Sequence, residues 1–528
     1  MYAVLLEEPA GKTLQAVVFE SGADAGCPQT LTAAELPGFI AQKAEKYIVF
    51  DLKKLLKNYP ELVIDDIDRW FDVNIACHLL DHTLGDAALP ECWAKFFPDA
   101  APEEDAAGML WQLYKVLSEK LAGNDLFQNI EMPLISILND MEKTGIALDD
   151  KALRQFGGEL TNSIRQLETE IFQQCSCQFN LNSPKQLSEV LFEKLALEPV
   201  GKKGKNARST DAEALKKIST QHPVIDRILH YRKLSKLNST YVEGLLKYLD
   251  SDGRIHTVFN QTNTATGRLS SSEPNLQNLP GSNEYGGVIR KFFHAQDGYV
   301  FLDADYSQIE LRILAHMADD PVMIAAFQRN EDIHTVTASQ IFDVAPEAVT
   351  PEMRRQAKAV NFGIVYGMSA FALGNDLQIP QKAAQEYIDN YFAKYSAVKN
   401  YLEKTIKTAK QQGYVETLFG RRRQLPELKS KIFAVRSFGE RAALNTPIQG
   451  TAAELMKLAM IKVDRALKQI RIAGGLLLQV HDELLLTVPE TEQDTAAGLL
   501  RSAMENAMTL KVPLKVSLSS GKNYFDVK

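Results

Sequence analysis

A chain of 528 residues, 45% hydrophobic and 24% charged, is long enough for several cored domains and has the composition of an ordinary globular protein. No apolar run approaches the roughly 18–20 residues of a membrane-spanning helix, and residues 1–12 lack the basic region and small-residue cleavage site of a signal peptide. The net charge of −8 is unevenly spread: residues 1–125 hold 10 Lys/Arg against 21 Asp/Glu, whereas residues 201–248 hold 11 against 4. The second stretch reads either as a phosphate-binding surface or as a solvated helix face. Cys27, Cys77, Cys92, Cys175 and Cys177 are odd in number and lack metal-ligand spacing, which points to a reducing, cytosolic setting, and the lack of a long apolar run to no membrane partner.

In chain order, "YAVLL", "LQAVVFE" and "YIVF" predict strands and "DLKKLLKNY" predicts a helix start, so residues 1–125 read as a small α/β domain. From about 126 to 250 the apolar period is helical. The loop 197–209 is glycine-rich and basic and carries Lys202, Lys203 and Lys205. From 254 onward strand-like pieces alternate with long helices. Residues 451–470 predict an amphipathic helix, with Thr451 and Glu454 at capping-box spacing at its start.

Two stretches set carboxylates on apolar strands. "GYVFLDADYSQIELRILAHMA" (298–318) places Asp303 and Asp305 at the end of one strand, and "LLLQVHDELLLTV" (476–488) places His481, Asp482 and Glu483 inside a greasy run. A buried carboxylate needs a partner. If the two strands are neighbours, Asp305 and Asp482 share divalent cations, which prefer oxygen ligands and support phosphoryl transfer in pairs. Each Asp alone is more often a cap or an ion-pair partner than a catalytic group. A third stretch, "RRQAKAVNFGIVYG" (354–367), puts Arg354, Lys358, Phe362 and Tyr366 at successive i, i+4 positions on one helix face. Cations followed by flat rings suit a nucleoside triphosphate; a helix half in solvent and half in the core would leave the shared stripe unexplained.

At these residues the sequence resembles the family A DNA polymerases, in particular the large-fragment portion of the bacterial members. "DYSQIELR" (305–312), "RRQAKAVNFGIVYG" and "VHDE" (480–483) are similar to the family's motifs A, B and C, in order. "TATGRLSSSEPNLQNLP" (264–280) and "NTPIQGTAAELMK" (445–457) are similar to the segments before motifs A and C, and the similarity runs from about residue 126 to Lys528. The resemblance implies an α/β multidomain protein: a right hand of thumb (about 126–250), palm (about 251–310 and 430–528) and fingers (about 311–429). Residues 1–125 would form an exonuclease-like (RNase H-like) domain.

It further implies a DNA-directed DNA polymerase that adds dNTPs to a primer 3′ end and releases pyrophosphate. Asp305, Asp482 and the Tyr306 carbonyl would hold two Mg²⁺, with Mn²⁺ as a substitute, and Glu483 would assist. Arg354, Lys358 and His334 would grip the triphosphate, Lys358 would protonate the leaving group, and Gln308, Phe362 and Tyr366 would complete the nucleotide pocket. Glu310 would be a steric gate against the ribose 2′-OH, and Phe362, lacking a hydroxyl, implies poor use of dideoxynucleotides. Arg268, Arg441, Asn445, Gln449 and His481 would touch the primer–template near the nascent pair, and the basic loop with Lys202, Lys203 and Lys205 would hold duplex phosphates. Pro447 interrupts the i, i+4 spacing of Arg441, Asn445 and Gln449 and argues against one continuous helical stripe.

The family's proofreading site begins with an Asp-x-Glu on the first strand, which "YAVLLEEPAG" and "LQAVVFES" lack. Tyr47 and Asp51 have the spacing of a further site pair but lie in the wrong place, so Asp51 reads as structural. The expectation is an exonuclease-like fold without a 3′–5′ activity, no 5′-nuclease region, a monomer, and a bacterial cytoplasmic setting at the nucleoid. The rival readings are a reverse transcriptase relative, a single-subunit RNA polymerase (against which Glu310 speaks) and a non-catalytic DNA-binding protein on a polymerase fold.

Overall fold

The computed structural model describes residues 2–7, 13–19, 27–32, 34–41, 45–85, 87–100, 105–199, 208–280 and 285–528. Lys202, Lys203 and Lys205 lie outside the described residues. Two compact units divide the chain: one of residues 1–144, 258–272 and 298–520, the other of residues 145–257, 273–297 and 521–528.

The first unit opens with β1 (Tyr2–Glu7), β2 (Thr13–Phe19), β3 (Cys27–Thr32), β4 (Lys46–Val49) and β5 (Trp70–Asp72). They form a mixed sheet of order β3-β2-β1-β4-β5, antiparallel across the first three and parallel from β1 to β5. Asp51 follows β4 and caps the helix Leu52–Asn58 by accepting from the Lys54 N–H at 2.9 Å. Asp72 ends β5 and accepts from the Leu52 and Ile75 N–H groups at 2.7 and 3.1 Å. Both side chains thus cap helix N-termini, although burial and the neighbouring Asp51 push the Asp72 carboxyl up to about 8.

In the second unit, β6 (Ile146–Leu148) and β7 (Arg254–Ile255) pair antiparallel. The helix Asp150–Cys175 starts on the Asp149 side-chain cap and buries Leu153, Gly157, Leu160, Leu167, Ile171 and Cys175. Those positions follow the helical period, and they face the helix Val224–Lys236 and the turn after it. A Cβ at Gly157 would stand 2.7 Å from Val242, so glycine there sets the closeness of the packing.

Back in the first unit, β8 (Val258–Asn260) and β9 (Ser270–Ser272) form a hairpin. In the second, β10 (Phe293–His294) extends the β6–β7 sheet. The central sheet of the first unit comprises β11 (Tyr299–Tyr306), β14 (Gly475–Val480), β15 (Glu483–Pro489) and β16 (Val516–Gly521), ordered β14-β15-β11-β16. The short β12 (Tyr414–Glu416) and β13 (Arg422–Gln424) pair with each other.

One helix, Phe433–Gln469, runs unbroken through Pro447. Two sequence expectations are corrected here. Thr451 does not cap a helix start: its hydroxyl donates to the Pro447 carbonyl at 2.6 Å and accepts from the Leu418 N–H at 3.1 Å, inside a continuing helix. Pro447 does not interrupt the stripe either, so Arg441, Asn445 and Gln449 share one helical face. An interior proline costs about 3 kcal/mol in an exposed helix. Here Ala442, Ala443, Thr446, Ile448, Ala452 and Leu455 are buried around it, and packing outweighs the lost hydrogen bond. Among the described residues no helix is long and apolar enough to cross a membrane.

Candidate active site

β11 and β15 are antiparallel neighbours, with Asp305 opposite Glu483 and Ala304 opposite Leu484. The Tyr306 N–H donates to the Asp482 carbonyl at 3.0 Å, and the turn 481–482 joins β14 to β15. His481 adopts φ +50° there, and the Gln479 amide donates to its carbonyl at 2.6 Å, which fixes the turn. The greasy run 476–488 is therefore a buried hairpin with a polar tip. Leu478, Leu484, Leu485, Leu486 and Val488 fill the core. Asp303, opposite Leu485, is buried in the strand, whereas Asp305 is exposed.

Asp305 and Asp482 open into one cleft of about 490 Å³. Arg268, Tyr306, Gln308, Glu310, His334, Lys358, Phe362, Tyr366 and His481 line it with them. Of the expected site residues, the structure thus brings eleven to one cleft: Arg268, Asp305, Tyr306, Gln308, Glu310, His334, Lys358, Phe362, Tyr366, His481 and Asp482. Glu483 is buried behind Asp482 at the start of β15. The Tyr306 phenol is buried and donates to the Met504 carbonyl at 2.7 Å, so only its backbone serves the cleft. Gln308, at φ +49°, turns the chain into the helix Ile309–Ala318.

Burial raises the Asp482 carboxyl above its ordinary value, and the nearby Arg268 and His481 counter that shift. A carboxylate raised by desolvation is one that binding of a cation would return to full ionisation. Glu310 is 5% exposed and accepts from Arg268 at 2.8 Å. Burial pushes its carboxyl up; Arg268 and hydrogen bonds with Tyr366 and Gln449 hold it down. Glu310, in the first turn of the helix Ile309–Ala318, is therefore tied to the turn that carries Arg268.

The helix Pro351–Val365 starts on Thr350, whose hydroxyl accepts from the Met353 N–H, and on Pro351 in its first turn. Lys358 Nζ lies 5.9 Å from the Phe362 ring centroid, and the His334 ring lies 6.0 Å from it. Arg354 is exposed on the same stripe and donates to Asp332 at 2.5 Å. Burial and the charges of Arg354 and Lys358 push His334 down to about 4, against the pull of Asp332, so His334 is neutral at pH 7. The Asn361 amide nitrogen lies 3.0 Å from His334 Nδ1. With Nδ1 accepting, the ring carries its proton on Nε2 and offers a neutral donor to the cleft.

Sequence reasoning missed Asn361 and Asp332. Asn361 is fully buried and also lies 3.2 Å from the Thr337 hydroxyl, which in turn lies 3.1 Å from the Tyr395 hydroxyl. The one available signal was an amide inside an otherwise apolar helix face. Also missed was a buried ionic cluster beneath the cleft. Arg421 pairs with Glu131 and, at 2.8 Å, with Glu454; Lys457 pairs with Glu131 at 2.7 Å; the Gln261 amide donates to Glu131. A Cβ at Gly267 would stand 2.5 Å from Arg421 Nε, so the guanidinium packs directly against the turn that carries Arg268. Gly267 has φ +77°, and the Thr264 hydroxyl donates to the Arg268 carbonyl at 2.6 Å to close that turn.

Arg441, Asn445 and Gln449 line no part of the cleft wall itself, but a Cβ at Gly367 would stand 3.3 Å from Arg441 Cγ, next to Tyr366. The cleft thus offers oxygen donors for hard cations at one end, a cation–aromatic stripe along one side, and polar groups of a long helix beyond.

A family model described as DNA polymerase family A matches residues 150–526. The chain is 46% identical over 491 residues to "DNA polymerase I" of Caldicellulosiruptor bescii, covering 91% of this chain and 58% of that protein. It is 44% identical over 543 residues to "DNA polymerase I" of Bacillus caldotenax, covering 97% of this chain and 62% of that protein. The chain therefore spans less than two thirds of the length of these relatives. Among solved structures it is similar to the POL domain of Pol1 from M. smegmatis in complex with DNA primer-template and dNTP, at 36% identity and a TM-score of 0.91, covering 99% of this chain and 96% of that one.

Proposed function

The chain belongs to DNA polymerase family A, and we propose that it extends a primer 3′ end on a DNA template by nucleotidyl transfer from dNTPs, releasing pyrophosphate. One observation carries the reading. Two carboxylates, Asp305 at the end of β11 and Asp482 in the turn before its neighbour β15, meet a stripe of Lys358, Phe362 and Tyr366 in one cleft.

Asp305 and Asp482, with the Tyr306 carbonyl, would hold divalent cations, for which their hard oxygens fit; Mg²⁺ is the expected ion. Bound there, such ions would activate the 3′-hydroxyl and offset charge on the departing phosphates. The chain's own residues do the rest. Arg354 and Lys358 bind the triphosphate, and neutral His334 donates from Nε2 to it without adding a charge. Lys358 supplies the proton that the pyrophosphate oxygen gains as the bond breaks. Phe362 and Tyr366 flank the sugar and base. Glu310, held by Arg268, fills the space beside the sugar's 2′ carbon.

The roles of Glu483, Gln308, His481, Arg441, Asn445 and Gln449 as helper, pocket and primer–template residues belong to the same reading, as do the thumb, palm and fingers boundaries. We read residues 1–125 as an exonuclease-like (RNase H-like) domain without proofreading. The sheet order β3-β2-β1-β4-β5 supports it, and so does the use of Asp51 and Asp72 as helix caps. The working form is a cytoplasmic monomer. Primer extension with labelled dNTPs, with and without rNTPs, tests the proposal: stepwise extension by dNTPs alone is expected, and binding of primer–template without extension would refute it.

A further inference from the structure

The first turns of the helix Phe433–Gln469 expose apolar side chains at a density found at no other helix end among the described residues: Ile432 is 65% exposed, Phe433 74%, Val435 38% and Phe438 48%. Large apolar groups so exposed mark a binding surface more often than an accident. They are set among cations. Lys429, Lys431 and Arg441 are exposed, and the Arg436 guanidinium lies 5.8 Å from the Phe433 ring centroid while donating to the Ser430 carbonyl at 3.1 Å. Of the two nearby acids, Glu440 is paired with Lys410 at 2.6 Å.

The patch continues a surface already described. Because the helix is unbroken at Pro447, Phe438, Arg441, Asn445 and Gln449 follow at spacings of three, four and four, on one face. At 1.5 Å per residue that face runs about 16 Å from Gln449 to Phe438. We propose that Phe433 and Phe438, with Lys429, Lys431 and Arg436, form a stacking platform for unpaired nucleobases of the template strand outside the pairing site. The inference rests on the polymerase reading above.

The chemistry selects a single strand. In a duplex the base faces are stacked on one another, and an exposed phenyl ring has nothing to stack on. In an unpaired strand each base offers a π-face and each phosphate a charge for the surrounding cations. The same mixture disfavours self-association. A two-fold contact between copies of this patch would bring Lys429, Lys431 and Arg436 against their own kind.

The test compares the wild-type chain with a Phe433→Ala/Phe438→Ala variant, whose changed side chains are exposed and leave the core intact. Binding is measured by fluorescence anisotropy to three DNAs: a primer–template with a 5′ template overhang, the same duplex with an abasic overhang, and a blunt duplex. The variant is expected to bind the natural overhang about tenfold more weakly, the loss of roughly one stacked base, and the blunt duplex as the wild type does. The wild type is expected to lose a similar factor on the abasic overhang, which keeps the phosphates and removes the bases. Equal affinity of the two proteins for the natural overhang, or an equal loss on the blunt duplex, overturns the platform. So does a wild-type dimer that the variant disperses at unchanged DNA affinity. Failure of the wild type to bind any of the three DNAs would instead remove the proposed function and this inference with it.

Discussion

Arg421→Leu is the most informative change outside the cleft. The buried cluster is neutral as built, with Glu131 and Glu454 against Arg421 and Lys457, each side chain at most 5% exposed. Removing Arg421 leaves two buried acids with one cation. Breaking a buried pair in this way costs about 3–5 kcal/mol. Glu454 loses its 2.8 Å partner, while Glu131 keeps Lys457 and Gln261. Burial already raises the Glu454 carboxyl, and Arg421 opposes that shift. In the variant Glu454 therefore stays protonated further up the pH scale. A carboxyl with a raised folded-state value contributes stability below its unfolded value, near 4.3, and loses it as pH rises through the folded value. The destabilisation of Arg421→Leu is accordingly larger at pH 8 than at pH 5.

Adding Glu454→Leu restores neutrality, so the double variant is expected to be more stable than Arg421→Leu alone. Urea unfolding followed by the fluorescence of Trp70, Trp93 and Trp111, which lie in the same unit, reads both effects. A single-variant loss under about 1 kcal/mol, or a double variant whose loss is the sum of the two single losses, would refute the treatment of the cluster as one coupled unit.

Glu310→Ala should raise incorporation of rNTPs relative to dNTPs, measured by competitive primer extension; an unchanged ratio removes Glu310 as the gate. Asn361→Leu keeps the branched shape but deletes the group at His334 Nδ1, and the dNTP KM should rise about tenfold, the worth of one hydrogen bond of roughly 1–1.5 kcal/mol; a wild-type KM would mean that the Asn361 contact does not set which nitrogen of His334 carries the proton. A mismatched primer 3′ end incubated with the chain and Mg²⁺ should keep its length, and stepwise shortening would show that residues 1–125 retain a nuclease site.

What the sequence made legible was local. The stripe Arg354–Lys358–Phe362–Tyr366 follows from helix periodicity alone, and the structure keeps all four on or beside one helix. The partnership of Asp305 and Asp482 was conditional on two strands 170-odd residues apart being neighbours, which no local pattern dictates; β11 and β15 supply it. Two local signals misled. Thr451 with Glu454 has capping-box spacing, and Pro447 looks like a helix stop, yet both lie inside a helix whose buried face overrides them. The ionic cluster was invisible for the opposite reason: Glu131, Gln261, Arg421, Glu454 and Lys457 are scattered along the chain, and each alone reads as an ordinary polar residue. Asn361 escaped notice because a buried amide is recognised only by its partners.

In the proposed reaction Asp305 and Asp482 act together on the transferred phosphate. Single-turnover primer extension by Asp305→Asn and by Asp482→Asn, beside primer–template affinity measured on the same preparations, tests it directly. A rate loss of at least about 10³-fold is expected for each, about 4 kcal/mol of transition-state stabilisation, with DNA affinity close to that of the wild type. Extension at a near wild-type rate by either variant would contradict it.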